Sequence, residues 1–286
     1  MRFLGTGGGE GVPNPFCTCR ICENARKVGG KEIRTRSSFR LDNETIIDIG
    51  ADFFTQSFML NEPFDNIRNV LYTHTHDDHF NYTMIWERFV RHLGGDGPMN
   101  IYFTDSAYDI LDKFYLVSPV TEGRENYITP ENIRFIRLNF MEKYNIGQWN
   151  VTPLKGNHST VFEKNSANYL LENNNISIFY AVDSGPFSDE TIGFLSGAKL
   201  NILICECTFP VIGIDYLPAK SEHMDLNSCL KNLDVLYTKN IISKETKIYI
   251  THISPVGSTH AEFEQYVNSL DLPYKIKVAY DGMVID

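Results

Sequence analysis

No run of about 18 apolar residues occurs in the chain, so nothing in it is suited to cross a membrane as a helix. The opening Met1-Arg2-Phe3-Leu4 meets glycines at Gly5 and Gly7. That leaves no apolar core for a signal peptide and makes a cytoplasmic location the expectation. Positive charge is also scarce: 26 Lys and Arg against 36 Asp and Glu give a net charge of −10. Broad nucleic-acid binding through phosphate neutralisation is thereby disfavoured. An anionic substrate is not, because a bound cation dominates its local field. The loop Gly5-Thr6-Gly7-Gly8-Gly9-Glu10-Gly11 lacks what nucleotide loops need. Glu10 stands where a dinucleotide fingerprint needs its third glycine, and no Lys-Ser/Thr pair follows for a P-loop. A flexible turn at the mouth of a site remains. Linkers and low-complexity segments are missing too, so residues 1–286 read as a single domain. A chain of this length can bury roughly three quarters of its unfolded surface.

What is present is a crowd of metal-type ligands. Val70, Leu71 and Tyr72 read as a short apolar strand, and His74, His76, Asp78 and His79 follow within a few residues. Alternation along an extended segment sends His74, His76 and Asp78 to one side. A turn at Asp77-Asp78 can bring His79 round to join them. Imidazoles and a carboxylate this close are costly to bury without a cation, and the mixture suits zinc, manganese or iron. Asp48, in Asp48-Ile49-Gly50, is either a turn aspartate or a partner that orients a ligand imidazole.

Six cysteines in a chain expected to be cytosolic point to metal or buried thiols before disulfides. Cys17, Cys19 and Cys22, in an irregular loop at about 14–24, have the spacing that wraps a tetrahedral zinc. Cys205, Cys207 and Cys229 read as buried thiols on a strand and a helix. Arg26, Lys27, Lys31, Arg34, Arg36 and Arg40 form a local basic segment, either a solvated surface or a face for an anionic substrate.

Strands are expected at 2–5, Ser38–Leu41, Thr45–Asp48, Asn100–Phe103, Ile133–Leu138, Tyr144–Ile146, Asn150–Leu154, Asn168–Glu172, Ile176–Ala181, Leu200–Cys205, Lys247–Thr251, Lys275–Tyr280 and Met283–Ile285. Helical spacing marks Tyr82–Leu93, with His92 on its surface, then Ser106–Val117, Asp225–Leu236 and Thr259–Leu270; 118–131 reads as a loop. A recurring event stands out: strands end on ligand-type side chains, at His74, His158, Asp183 and His252. Four such ends argue for one edge of a layered α/β fold with mixed sheets flanked by helices.

With these residues in place, the sequence resembles the metallo-β-lactamase superfamily: His74-Thr75-His76-Asp77-Asp78-His79, then His158, Asp183 and His252, in the superfamily's order. Within it, the chain resembles the branch typified by phosphoribosyl 1,2-cyclic phosphate phosphodiesterase, the carbon–phosphorus lyase accessory type. Leu4-Gly5-Thr6-Gly7, the cysteine loop, Arg34-Thr35-Arg36-Ser37-Ser38 and Tyr280-Asp281-Gly282-Met283 carry that likeness. The resemblance implies a four-layer αββα sandwich and a dinuclear site of zinc, manganese or iron. His74, His76 and His158 would hold one ion, Asp78, His79 and His252 the other, and Asp183 would bridge them. It also implies catalytic roles for Asp183 and Asp78, and for His223 as the acid near the leaving group. It further implies one structural zinc on Cys17, Cys19 and Cys22 with a histidine. The position that often supplies this histidine is Pro255 here, so His260 is the expected fourth ligand.

The activity so implied is hydrolysis of a small cyclic or nucleotide-like phosphodiester by water activated between two ions. Lactone, thioester or β-lactam hydrolysis on the same ligands, tRNA 3′-end processing, and a non-catalytic zinc-binding or cofactor-biosynthesis role remain as alternatives, because the scaffold alone does not fix the substrate. Asp78 favours a phosphodiesterase or lactonase. The acidic balance, and the lack of a long Gly/Pro-rich arm, speak against RNA. Oligomeric state is open, a homodimer being one option.

Overall fold

The computed structural model describes residues 1–87, 97–111, 131–161, 163–217 and 221–286. Two sheets organise it. The first runs, in spatial order, β1 (Arg2–Gly5), β2 (Ser38–Arg40), β3 (Thr45–Ile47), β4 (Asn69–Leu71), β5 (Met99–Thr104) and β6 (Ile133–Leu138). The second comprises β7 (Tyr144–Ile146), β8 (Trp149–Lys155), β9 (Ala167–Glu172), β10 (Ser177–Ala181), β11 (Ile202–Glu206), β12 (Lys247–Thr251) and β13 (Ile276–Val278), again neighbour to neighbour. Each begins as an antiparallel meander and continues with parallel strands: β3 to β6 in the first sheet, β10 to β13 in the second.

Side-chain alternation explains the layering. On β11, Ile202 and Ile204 point into the core between the sheets while Leu203 and Cys205 point to the opposite face; on β10, Ile178 and Tyr180 oppose Phe179 and Ala181 in the same way. On β5, Tyr102 faces the central core while Ile101 and Phe103 face the outer one. Strands apolar on both faces need cover on both. Helices α6 (Leu226–Thr238) and α7 (His260–Ser269) supply it outside the second sheet, through Leu233, Leu236, Phe263 and Val267. Outside the first lie α3 (Tyr82–Glu87) and α4 (Asp105–Ile110), with Ile85 and Ala107. The result is a helix–sheet–sheet–helix sandwich with mixed sheets, as expected. Each large apolar side chain so buried contributes roughly 1.5–3 kcal/mol.

Asp225 caps α6, accepting from the Ser228 N–H at 2.8 Å, and Thr259 opens α7 with Glu262 in a reciprocal capping box. Such caps contribute about 1 kcal/mol each. The cysteine loop departs from its irregular reading: Cys19 caps, and Cys22 sits in the first turn of, helix α1 (Arg20–Val28). Helices α2 (Phe53–Leu60) and α5 (Asp189–Phe194) were also not expected. Met283–Ile285 is not a full strand but an edge pairing to β1 through Arg2 and Val284. The C-terminal parts of the helices expected at Tyr82–Leu93 and Ser106–Val117, with His92 and all but the last residue of the 118–131 loop, lie outside the described residues. Among the described residues, no helix is long and apolar enough to cross a membrane.

Candidate metal centre

The carboxyl ends of strands from both sheets meet on one edge, where ligands bind in open α/β sheets. β4 leads through Tyr72 and Thr73 to His74; β8, β10 and β12 deliver His158, Asp183 and His252. The side chains converge. Asp183 Oδ2 lies 3.2 Å from His74 Nε2, 3.4 Å from His158 Nε2, 3.5 Å from His79 Nε2 and 3.6 Å from His252 Nε2. His76 Nδ1 completes one cluster, 3.0 Å from His74 Nε2 and 3.2 Å from His158 Nε2. Asp78 Oδ2 completes the other, 3.3 Å from His79 Nε2 and 3.9 Å from His252 Nε2. In each cluster all ligand atoms lie within 4.8 Å of one another, and Asp183 belongs to both. Every residue expected in the dinuclear set is therefore brought together.

The backbone is bent to achieve this. Asp48, Asp183 and His252 take positive φ of 62°, 54° and 59° within two residues of their strands' ends, turning the side chains out of the pleat. Such conformations cost about 1–3 kcal/mol each and persist where surroundings over-determine them. The surroundings here are hydrogen bonds. Asp48 Oδ2 lies 2.7 Å from His79 Nδ1 and its other oxygen accepts from the Thr73 N–H at 2.8 Å, so the second of its two sequence readings holds. The buried Glu206, last residue of β11, accepts from the N–H groups of Ser184 and Gly185 at 2.6 and 2.5 Å, pinning the turn that presents Asp183. Its other oxygen accepts from Thr208 Oγ1 at 2.5 Å, and Thr208 in turn meets His252 Nδ1 at 3.0 Å. Glu163 accepts from the Thr75 N–H at 2.9 Å, steadying the turn between His74 and His76. Sequence reasoning missed Glu206, Thr208 and Glu163. Glu206 carried a signal, a lone acid ending an apolar strand; Glu163 carried none.

Burial is the largest single influence on His74, His158, Asp78, His79 and Asp183. It lowers His74 to about 3, helped by the charge on His79, and it lowers His158, so both stay neutral and ligand-competent near neutrality. Burial alone would raise Asp183 and Asp78; the surrounding imidazoles outweigh it and hold both well below the usual carboxylate range. His79 goes the other way, far up, because Asp78 and Asp48 overcome its burial. A protein without cations must protonate His79 to balance these carboxylates, and a divalent ion would replace that proton. Asp183 Oδ1 and His158 Nδ1 are buried and make no well-aligned hydrogen bond, their nearest ionic neighbours being His223 Nδ1 at 2.9 Å and Glu222 at 3.8 Å. Ring nitrogens of His74, His76 and His158 that face one another at 3.0–3.2 Å are spaced as ligands of one ion. The donor set fits a pair of borderline divalent ions.

His223 stands at the rim, its side chain 31% exposed, with Nδ1 2.9 Å from Asp183 Oδ1 and 3.5 Å from Glu206 Oε2. Burial works against its protonation, but those two carboxylates push it up to about 11. Phe209 meets its ring edge to face, centroids 6.1 Å apart. A cavity of about 270 Å³ opens over the ligands, and Gly9, Glu10 and Phe209 also line it, so the glycine loop does sit at the mouth. That volume suits a small substrate group. A larger cavity of about 500 Å³ beside Lys244–Lys247 and Leu272–Lys277 lies at the opposite strand ends, away from the His and Asp ligands.

One expectation fails. His260 does not join the cysteines: its Nδ1 lies 2.7 Å from a guanidinium nitrogen of the buried Arg34, and its backbone N–H is held by Glu32. The thiols of Cys17, Cys19 and Cys22 cluster within 4.8 Å of one another with no fourth His, Cys, Asp or Glu among the described residues. They suit a soft ion, but a closed four-ligand cage is not furnished. Of the two readings open for the basic segment, the substrate face gains no support, since none of its side chains lines the cavity. Its charges are spent internally, Arg26 on Glu23, Lys31 on Glu264, Arg36 on Asp52 and Arg40 on Glu62.

Comparison with known proteins follows the geometry. Residues 43–253 match the family model described as "Beta-lactamase superfamily domain". No curated protein matches the chain by sequence. Among solved structures, a diphosphatase from the PhnP family is 22% identical with a TM-score of 0.72, covering 99% of this chain and 95% of its own. Zinc-bound PqqB from Methylobacterium extorquens is 17% identical with a TM-score of 0.68, covering 100% and 99%. The short form of human tRNase Z is 15% identical with a TM-score of 0.63, covering 100% and 98%. These likenesses carry the fold.

Proposed function

The chain belongs to the beta-lactamase superfamily, and we propose that within it this protein is a dinuclear metal-dependent hydrolase of a small cyclic or nucleotide-like phosphodiester. One observation carries the reading: Asp183 is shared by two ligand clusters through Oδ2 while its other oxygen meets His223. His74, His76, His158 and Asp183 would hold one ion, and Asp78, His79, His252 and Asp183 the second. When bound, such ions supply Lewis acidity for phosphoryl oxygens and lower the pKa of a water towards about 7.

The chain's own residues do the rest. Asp48 and Thr208 fix the rings of His79 and His252 through their Nδ1 atoms, leaving Nε2 free to ligate. Glu206 holds the Asp183 turn and faces His223, so that imidazole stays protonated near neutrality. With Nδ1 engaged by carboxylates, Nε2 of His223 is the atom that hands a proton to the departing oxygen. A positioned acid of this kind contributes about 100- to 10,000-fold. Asp78 in the ligand set fits a phosphodiesterase or a lactonase, and the diphosphatase named for the PhnP-family neighbour supports phosphoryl transfer between the two. The test is a substrate panel on metal-loaded protein: bis(p-nitrophenyl) phosphate and 2′,3′-cyclic nucleotides against lactones and a thioester. Diester turnover abolished by a chelator is expected. Turnover of lactone or thioester with none of the diesters would overturn the reading.

A further inference from the structure

We infer that Cys17, Cys19 and Cys22 form a metal site with three thiolates from the protein and a fourth coordination position open to an exogenous thiol. The three sulfurs lie within 4.8 Å of one another, the spacing at which thiolates ligate one soft ion. The backbone is shaped to receive thiolates. Cys19 caps α1, so the positive end of the helix faces the cluster; the Asn14 N–H points at Cys22 Sγ at 3.3 Å and the Cys19 N–H at Cys17 Sγ at 3.4 Å. Cys17 and Cys19 are half-exposed, so the cluster is reachable from water.

Among the described residues, no fourth His, Cys, Asp or Glu side chain joins them. The segment nearest the sulfurs is the turn after His252, where the Pro255 carbonyl oxygen lies 3.7 Å from Cys19 Sγ. Proline offers no ligating side chain there. The histidine five residues on is turned to Arg34, whose buried guanidinium it accepts from and will not leave cheaply. An ion held by three thiolates then completes its shell with water, which a small thiol displaces. Loading releases the three thiol protons to solvent and involves no redox step. The site is thus exchangeable, where four protein ligands would make it closed and structural. This inference stands apart from the proposed hydrolysis, because it concerns sulfur ligands only.

Cobalt(II) reads it directly, since thiolate ligation gives a near-ultraviolet charge-transfer band that the His/Asp cluster cannot produce. With cobalt-loaded full-length protein, the band should be present, be absent in Cys22→Ser, and grow by about one third on titration with 2-mercaptoethanol as a fourth thiolate joins three. In Pro255→His the band should ignore the added thiol, and zinc at this site should pass to a chelator at least tenfold more slowly than in the unaltered protein. A wild-type band indifferent to 2-mercaptoethanol, or equal release from wild type and Pro255→His, would show the position already filled by the protein. Absence of the band altogether would remove the site.

Discussion

Asp183 has two carboxylate oxygens, and each has its own neighbours: Oδ2 faces four ligand imidazoles and Oδ1 faces His223. Removing it should empty both clusters. Asp183→Ala is expected to lose most of the bound metal, by elemental analysis, and on the order of a thousandfold in kcat/KM, about 4 kcal/mol of barrier. His223→Ala should instead keep its metal and lose about 100- to 10,000-fold in kcat. Because Glu206 helps keep His223 protonated, Glu206→Gln should lower that pKa and move the alkaline limb of the kcat profile to lower pH. The amide retains an acceptor for Ser184 and Gly185, so an unmoved limb would deny Glu206 this role. His260 allows a stability test. Burial first, then Arg34 and Lys31, lower it from 6.5 to about 3. The unfolded chain takes up a proton below 6.5 that the folded one refuses, so this contribution is whole above 6.5 and is lost as pH falls towards 3, at most ~1.4 kcal/mol per pH unit. His260→Asn, which keeps an acceptor for Arg34, should flatten the acid side of the stability curve in denaturant titrations.

At the scale of elements, what the sequence made legible were strands that end on ligands. The strands β4, β10 and β12 are short apolar runs buried on both faces, and within three residues of their ends the chain places His74, Asp183 and His252. The short helices were not legible. In α2, Phe54 and Phe58 are exposed by 74% and 80%, so its apolar residues follow no buried stripe that periodicity could find. In α1, the cysteines masked the helical spacing of Ile21, Cys22 and Ala25. His260 was misjudged for a related reason: it was chosen for its nearness in the chain to Pro255, where the resemblance expects the ligand, and nothing in the sequence said that Arg34 would be buried beside it. The turn between β3 and α2 carries its own constraint. A Cβ on Gly50 would lie 2.0 Å from the Asp78 carbonyl oxygen, on the very turn that presents Asp78 and His79. Gly50→Ala should therefore cost about 1–3 kcal/mol in urea unfolding and weaken metal binding together. Stability lost with metal affinity intact would uncouple the two.

Over the whole molecule, the centre joins the two sheets: His74, His76, Asp78 and His79 follow a strand of the first, and His158, Asp183 and His252 follow strands of the second. Ions bound there would act as cross-links between halves otherwise held by the apolar layer between them. Ligand present at about 1,000 times its Kd stabilises by about 4 kcal/mol. Chelation should lower Tm by roughly 8–16 °C on the usual scaling for domains of 150–250 residues. Sharing of Asp183 is the claim on which all of this turns, and electron paramagnetic resonance of protein loaded with two equivalents of manganese(II) reads it most directly. A carboxylate common to two ions couples their spins, so an exchange-coupled spectrum is expected in the wild type, lost in Asp183→Ala. An isolated six-line manganese signal at two equivalents would contradict it.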